Sequence, residues 1–326
     1  MQPIQTARCF FSGVALATFL AALPCLAQAQ YPSRPIRMVI GYSAGGPADA
    51  LARTIAPRLA THLGQPVIVE NRPGADANIA METVVRAAPD GHTVLLESSA
   101  ISMNPTLYRK LPFDPVKDLA PITLIGGSPL LFVVHPSVPA QTLGELMALA
   151  KSKKGQLFYG STSTPIHLAT AMFNSQAGIE LVRVPYKGAG AAIPALLAGD
   201  VQVMLSSIGP LWPHVKAGKV RALAVSSAKR TALAPDMPTV DEAGVPGYSA
   251  MTWYGLFVPV KTPRSIVDRL NSDTRKVLAQ PEVTAALSLQ SLEPTPTTPE
   301  ELGEFVRTET EKWGKVIKES GMQVSD

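Results

Sequence analysis

The chain has 326 residues, a formal net charge of +4 at pH 7 and an aromatic content of 6%. The positive charge is small and scattered and aromatic residues are few, which excludes a nucleic-acid surface built from a basic patch and stacking rings. A chain of this length can bury a large core and favours two domains over one.

The first residues predict a secretory signal peptide at residues 1–29. Arg8 gives a positive start, residues 10–26 are almost wholly apolar, and Ala27-Gln28-Ala29 forms an A-x-A cleavage site. A membrane anchor is disfavoured because the apolar stretch contains Pro24 and ends in small residues rather than in a charge cluster. We therefore expect cleavage at this site and a mature protein free in the periplasm.

The residues predict no redox or metal centre. Cys9 and Cys25 both lie in the signal segment, so the mature chain can form neither a disulfide nor a thiolate site. The five histidines lack metal-ligand spacing, and the chain contains no phosphate loop, H-E-x-x-H or G-x-S-x-G motif. Ser161 and His167 do not have the arrangement of a recurring catalytic triad. We expect no cofactor and no catalysis.

After the signal, apolar or β-branched runs alternate with amphipathic stretches. The pattern predicts strands at 36–40, 67–70 and 93–96 and helices at 47–63 and 80–88. In the first helix Pro47 suits the first turn, Gly64 suits the C-terminal cap, and Pro57 should kink the helix. Repeated βαβ units of this kind predict a mostly parallel sheet.

A second block repeats this rhythm. Its predicted strands lie at 130–134, 156–159, 181–184, 201–205 and 221–225, and its predicted helices start after Thr142, start at His167 and span 191–197. Thr142 and Glu145 have the spacing of a capping box. Loops rich in Pro and Gly follow at 234–239 and 242–247, as expected near a domain boundary.

The tail has the pattern of two amphipathic helices. The first is entered through Thr262-Pro263, and the second opens with a capping box from Thr298 to Glu301. Helices without a following strand must pack on an existing sheet, so we expect the tail to return to the first lobe. The predicted organisation is therefore a first lobe at residues 30–130 and 251–326, a second lobe at 131–250, and two crossings between them.

Short motifs follow one another in a characteristic order. They are Gly45-Gly46-Pro47-Ala48-Asp49, Glu70-Asn71-Arg72-Pro73-Gly74-Ala75, Pro89-Asp90-Gly91-His92-Thr93, His167-Leu168-Ala169, Val184-Pro185-Tyr186-Lys187-Gly188, residues 217–225, Glu242-Ala243-Gly244 and Trp253-Tyr254-Gly255. With them the chain resembles the periplasmic receptors of the tripartite tricarboxylate transporter family, also called Bug proteins. The resemblance implies an α/β, two-lobed periplasmic binding protein fold of the type II-like kind, with two crossing segments, a ligand in the interlobe cleft and no catalysis.

In the first lobe, the loop at 41–46 is the predicted ligand contact. It aims unpaired backbone N–H groups and a helix dipole at a ligand, and its two glycines let a carboxylate approach the backbone. The residues alone fit an ordinary tight turn with a helix cap equally well. The family resemblance implies a ligand carboxylate here, held partly through ordered water. Asp49 can cap the free N–H groups or contact the ligand.

In the second lobe, Tyr186-Lys187-Gly188 lies between a strand and a helix and should face the cleft. Tyr186 can stack on or hydrogen-bond a ligand, whereas Lys187 can pair with a carboxylate or stay solvated. Other hydroxyls follow strand ends, where an ordinary polar turn is the alternative. The complete predicted ligand-binding set is Tyr42, Ser43, Ala44, Gly45, Gly46, Asp49, Ser99, Ser161, Thr162, Ser163, His167, Tyr186, Lys187, Gly188 and Ser206.

Three departures from the family pattern bear on the ligand. Asp76-Ala77 stands where the family usually has a Gly pair, and the loop at 160–166 is shorter and lacks internal glycines. Ser206 and Ser207 stand where many relatives place an aspartate that can recognise an ammonium. These departures favour a simple mono- or dicarboxylate, aromatic acids included, over an amino acid.

The leading hypothesis is a receptor that captures a small carboxylate and hands it to integral membrane transporter subunits, as a monomer. A sensory receptor without its own transporter is an alternative within binding proteins. A secreted hydrolase that uses the same cleft is the alternative from another class. The missing nucleophile–base or metal set favours binding over catalysis.

Overall fold

The computed structural model describes residues 31–322. The predicted signal peptide therefore lies outside the described residues. Between residues 31 and 322, no helix combines the length and hydrophobicity needed to cross a membrane.

The described chain alternates strands and helices. The strands are β1 (Ile36–Ile40), β2 (Val67–Asn71), β3 (Thr93–Ser98), β4 (Leu119–Val134), β5 (Leu157–Ser161), β6 (Leu181–Pro185), β7 (Val203–Ser207), β8 (Arg221–Val225), β9 (Met251–Pro259) and β10 (Glu293–Pro294). The helices are α1 (Pro47–Leu63), α2 (Asn78–Val85), α3 (Ala100–Leu107), α4 (Pro115–Asp118), α5 (Leu143–Ser152), α6 (Thr164–Ala177), α7 (Ala189–Ala198), α8 (Ile208–Lys216), α9 (Arg264–Leu278), α10 (Pro281–Leu289) and α11 (Pro299–Ser320). A short 3-10 turn, Ala75–Ala77, precedes α2.

The strands follow the order β2-β1-β3-β9-β4-β7-β5-β6, with β8 and β10 also paired to β4. In the first half, β1 pairs in parallel with β2 and β3. In the second half, β5 pairs in parallel with β6 and β7. The predicted βαβ units are therefore present in both halves, while β4 and β9 run antiparallel to each other and to their other neighbours.

Strand β4 joins the two halves of the sheet. Its residues 119–129 pair with β9, whereas its residues 130–134 pair with β7 and β8. The chain returns through the start of β9, where Ser226 and Ala250 hydrogen-bond each other through both the Ala250 N–H and the Ser226 hydroxyl. Two crossing segments between two α/β lobes confirm the predicted fold class; the boundary residues stay a prediction.

Each lobe contains an apolar core, and the core of the second lobe also includes Met103 and Leu107 of α3. Met38, Leu51 and Leu256 belong to a core in the first lobe, and Phe132 and Phe173 belong to a core in the second. Burying such side chains removes apolar area from water, which is the main stabilising term of the fold.

The C-terminal helices contact both lobes. Helix α9 packs on α1 and β4, and the return of the whole tail to the first lobe stays a prediction. Helix α11 packs on α3, β4 and α6, and its residues Trp313 and Ile317 share the core that contains Phe132. The C-terminal tail therefore also contributes to the core of the second lobe.

Local signals placed most elements correctly. Helix α1 begins at Pro47 and ends at Leu63, continues through Pro57, and is capped by Gly64 in the left-handed region. The capping box at the start of α11 is complete, because Thr298 accepts from the Glu301 N–H and Glu301 accepts from the Thr298 N–H.

Other boundaries differ from the prediction. Glu145 N–H donates to Thr142, but the Glu145 carboxylate accepts from Gln141 rather than from Thr142, so the first capping box is only half formed. Helix α6 begins at Thr164, not at His167. Strand β7 is shifted to Val203–Ser207, which places Ser206 inside the strand and not after it.

Candidate functional site

A cavity of about 360 Å³ lies in the cleft between the lobes. Four segments of the first lobe and the start of α6 in the second lobe form its walls. The lining residues are Tyr42, Asp76, Ser98, Ser99, Ala100, Met103, Asn104, Leu107, Ser163, Thr164, Pro165, Thr252 and Tyr254. Residues from 42 to 254 thus meet at one place because β1, β3 and β9 are neighbours in the sheet.

A larger cavity of about 430 Å³ is lined by residues of α4, α9, α11, β4 and β9. Its arginines are paired, Arg264 with Asp268 and Glu300, and Arg307 with Glu304. No predicted ligand-binding residue is among the described residues that line it. The cavity in the cleft is therefore the candidate site.

Two helices begin at the cleft cavity. Ser99 precedes α3 and Ser163 precedes α6, and neither side chain caps its helix. The N–H groups of a first helical turn have no partner within the helix, and the positive end of the helix dipole lies at the same place. Among the described lining residues there is no Lys, Arg or His. The Ala100 N–H already donates to Ser98 Oγ and Pro165 has no N–H, so the neutral donors that remain for an anion are the other first-turn N–H groups and the hydroxyls of the lining.

A buried acid lies behind the wall of the cavity. Glu97 is fully buried at the end of β3, where its Oε1 accepts from the Tyr42 hydroxyl at 2.9 Å and from the Ser98 N–H at 2.8 Å. Burial raises the pKa of Glu97 to about 8, and burial also raises the pKa of Tyr42. Both groups are therefore mainly neutral at pH 7, and they fix the orientation of a ring that lines the cavity.

The hydroxyl of Ser99 stands out within this wall. Ser99 is 1% exposed, and its Oγ has no hydrogen-bond partner among the described residues. A buried hydroxyl without a partner costs free energy, so such a group calls for an explanation. Ser99 lies at the start of α3 in the cavity wall, so a ligand that reaches this wall is a candidate partner for the buried hydroxyl.

The predicted β1–α1 loop reaches the cavity through Tyr42, whereas Ser43, Ala44, Gly45 and Gly46 are not among the lining residues. The Gly45 N–H donates to Asp49 Oδ2 at 2.9 Å.

Asp49 is held inside the first lobe. It is 4% exposed and also accepts from Arg53 at 2.9 Å and from Asn71 at 3.1 Å. The Arg53 hydrogen bond leads the effects that lower the pKa of Asp49 to about 2. Asp49 thus accepts from the N–H of Gly45, which precedes the N-cap residue Gly46, and no side chain of the described residues caps α1; both a capping role and a direct ligand contact stay predictions.

In the second lobe, only Ser163 of the predicted residues lines the cavity. The Tyr159 hydroxyl and His167 Nδ1 share a hydrogen bond of 2.6 Å. Burial lowers the pKa of His167 to about 4, so the imidazole is neutral at pH 7. Tyr186 lies beside Gly160 of the neighbouring strand, and Lys187 is exposed.

The remaining predicted residues of this lobe are also not among the lining residues. Ser161 is buried, Thr162 is half-buried, and Gly188 precedes α7 with a φ of 86°. Ser206 is buried in β7 opposite Leu131 of β4. Their ligand contacts stay predictions.

Several lining residues were missed in the sequence. Asp76 was noted only as a departure from the family pattern, and Tyr254 only as part of a motif. Asn104 sits inside α3 and gives no local signal, since an amide within a helix is usually a surface group. Ser98 lies one residue closer to the end of the predicted third strand than Ser99 does, so an argument from hydroxyls at strand ends would have included it.

No group of three or more His, Cys, Asp or Glu side chains that could hold a metal ion is found across residues 31–322.

Two α/β lobes, two crossing strands and a cleft cavity lined by helix N-termini define a periplasmic solute-binding protein. The model of the tripartite tricarboxylate transporter family receptor matches residues 51–322, and the chain belongs to this family.

Similar proteins cover nearly the whole chain. BugT of Bordetella pertussis is 32% identical over 316 residues, which are 96% of this chain and 97% of BugT. A protein of Pseudomonas sp. strain P51, from the tcbD-tcbE intergenic region, is 36% identical over 311 residues, 94% of this chain and 93% of that protein.

Solved structures share the architecture. An R. palustris protein solved with adipate is 34% identical with a TM-score of 0.76, covering 90% of this chain and 99% of its own. MatC from Rhodopseudomonas palustris, solved with bound malate, is 31% identical with a TM-score of 0.70, covering 88% of this chain and 100% of its own.

Proposed function

We propose that this chain is an extracytoplasmic receptor that captures a small mono- or dicarboxylate, aromatic acids included, in the cleft cavity and delivers it to integral membrane subunits of a tripartite tricarboxylate-type transporter. The observation that carries the proposal is the lining: two helix N-termini and several hydroxyls converge there, with no cationic side chain among the described lining residues. Such termini bind carboxylates through backbone N–H groups.

The similar structures support a carboxylate as ligand, since one was solved with adipate and another with malate. The family and fold are those of binding receptors, and a ligand that closes the lobes can stabilise the form recognised by a membrane partner.

The first test is native mass spectrometry of the purified mature protein, followed by thermal-shift and calorimetric titration with mono-, di- and tricarboxylates. Each acid is compared with its neutral amide. We expect stabilisation by an acid, none by the amide, and recovery of the acid chemically unchanged. Failure of every carboxylate to bind would reject the proposed ligand class, and chemical conversion of a bound acid would reject a pure binding role.

Replacing Ser99→Ala tests the site itself. We expect affinity for the bound acid to fall about three- to tenfold, as loss of one hydrogen bond predicts. The Tm of the unliganded protein should stay the same or rise, because the variant loses no hydrogen bond among the described residues and no longer buries an unpartnered hydroxyl.

Thr274→Val is the matched control, because Thr274 is also 1% exposed and its hydroxyl also lacks a partner among the described residues, but it lies in α9 away from the cavity. This variant should leave ligand affinity unchanged. Equal affinities for wild type and the Ser99 variant would remove Ser99 from the site.

The predicted lobe boundaries, periplasmic location and monomeric state belong to the same proposal. N-terminal sequencing of protein from a periplasmic extract should begin at Gln30, and light scattering of the purified protein should give the mass of one chain. A retained N-terminal segment would contradict the predicted cleavage, and the mass of a dimer would contradict the predicted monomer.

A further inference from the structure

Asp76 gives the cavity an acidic wall. Among the described lining residues it is the only Asp or Glu, and there is no Lys, Arg or His to offset its charge. A dicarboxylate placed in this cavity brings a second negative charge to a wall that is already negative. A ligand with a donor or cation at one end meets a complementary group instead.

The Asp76 carboxylate is held in place. Its Oδ2 accepts from the Tyr108 hydroxyl at 2.9 Å, and its backbone oxygen accepts from Asn104 Nδ2 at 2.8 Å. The Tyr108 bond uses one of the four or so lone-pair sites of a carboxylate, so acceptor capacity remains for a ligand.

The backbone around Asp76 is strained. Ala75, Asp76 and Ala77 have φ values of 46°, 48° and 72°, a region that residues other than glycine rarely adopt. Strain of this kind persists where surrounding contacts enforce it and clusters at ligand sites. Asp76 therefore lines the cavity from a turn whose backbone conformation is more typical of glycine.

The other walls have the opposite polarity. Ser99 and Ser163 mark the N-termini of α3 and α6, which supply neutral donors for a carboxylate. Glu97 adds no second negative charge at neutral pH, because burial raises its pKa to about 8. The cavity therefore has a donor-rich part and one fixed anion.

We propose that the ligand is a zwitterion, with one carboxylate at the helix N-termini and a cationic nitrogen that donates to Asp76. This inference rests on the proposed function and narrows it from mono- or dicarboxylates to carboxylates that also carry a cation. It also revises the expectation from Ser206 and Ser207: the acid that meets the cation stands at position 76, on the opposite lobe.

The test compares ligands matched in chain length. Calorimetry measures affinities for 6-aminohexanoate against adipate and for 4-aminobutyrate against succinate, with wild type and Asp76→Asn. We expect wild type to bind at least one amino acid about tenfold more tightly than its dicarboxylate partner, as a charge-assisted hydrogen bond predicts. The Asn variant should lose or reverse this preference.

The Asn variant should fold, because Asn tolerates the left-handed region and can still accept from Tyr108. Asp76→Gly serves as a second variant that removes the carboxylate and relieves the strain, and it should lose the preference as well. Asp236→Asn is the matched control, since Asp236 is exposed and is not among the lining residues. It should keep the wild-type preference.

The outcomes separate the two proposals. One outcome is tight binding of a dicarboxylate by wild type, with a ratio of amino-acid to dicarboxylate affinity that Asp76→Asn and Asp76→Gly leave unchanged. That result overturns the role of Asp76 but not the proposed carboxylate receptor. If no carboxylate of any kind binds wild type, the proposed function and this inference both fail.

Discussion

Glu97 shows what one buried acid does to the protein. It is 0% exposed, and only Oε1 has hydrogen-bond partners among the described residues. Burial raises the pKa of Glu97 in the folded protein to about 8, above its ordinary value of 4.5. The folded protein therefore favours the protonated, neutral form of Glu97.

This shift predicts a pH dependence of stability. Because the folded pKa lies above the unfolded pKa, the contribution of Glu97 is fully present below about pH 4.5 and is lost as the pH rises through about 8. Between about pH 6.5 and 8 the free energy of unfolding should therefore fall by up to about 1.4 kcal/mol per pH unit, whereas at lower pH His167, with its pKa lowered to about 4, contributes a rise that opposes this fall. Urea unfolding at pH 5, 6, 7 and 8 measures the slope.

Glu97→Gln should remove that part of the slope, since the amide is neutral at every pH. Glu311→Gln is the control, because Glu311 is exposed on α11 and should keep the wild-type slope. Identical slopes for wild type and the Glu97 variant would show that Glu97 does not titrate in this window. Asp49, with its pKa lowered to about 2, titrates below the window.

At the scale of the element, strand β4 is held by close backbone contact. A Cβ added to Gly126 would lie 2.3 Å from the Glu293 backbone oxygen and 2.8 Å from Leu292 Cδ2. Gly126 pairs with Pro294 of β10 at the point where β4 approaches the second lobe. Glycine is therefore required by the approach of another backbone, not by a turn.

Gly126→Ala should lower the free energy of unfolding by about 1 to 3 kcal/mol, the cost of overpacking against backbone. Chemical denaturation measures it. Gly190→Ala is the control, because Gly190 lies in α7 with open space around its Cα and a helical alanine should gain about 0.5 to 1 kcal/mol. A neutral Gly126 variant would mean that β10 shifts without cost.

At the scale of the whole molecule, α11 ties the lobes together. Its N-terminal part packs with the first lobe through Leu302, whereas Trp313 lies in the core of the second lobe at 1% exposure. The Trp313 Nε1 donates to the buried Glu309 at 2.8 Å. Both packing and a buried hydrogen bond depend on this ring.

Trp313→Ala should cost about 3 to 5 kcal/mol, the range for removing a large buried aromatic side chain. Phe158→Ala, at a position that is 38% exposed, should cost far less. Thermal unfolding followed by calorimetry checks both values. A small loss at Trp313 would show that the second lobe closes without the tail.

The sequence alone determined the local elements and the family. Periodicity and caps placed α1, and the box of Thr298 and Glu301 placed the start of α11, because these signals act over one or two helical turns. Parallel pairing within each lobe followed from the βαβ rhythm. The order of the motifs identified the family of receptors.

Some elements were not predicted, for reasons found in their residues. The first part of β4 contains Pro121, Gly126 and Gly127, which weaken a strand signal, yet the pairing with β9 and β10 holds it extended. Helix α8 contains Pro213 and was missed for a similar reason.

Only the tertiary structure decided which residues share the cavity. Tyr42, Asp76, Asn104 and Tyr254 meet because β1, β3 and β9 are adjacent in one sheet, a pairing that depends on contacts far apart in the chain. The same packing buries Glu97 and raises its pKa. Burial and electrostatic surroundings are properties of the folded molecule, so no local pattern in the sequence could have revealed them.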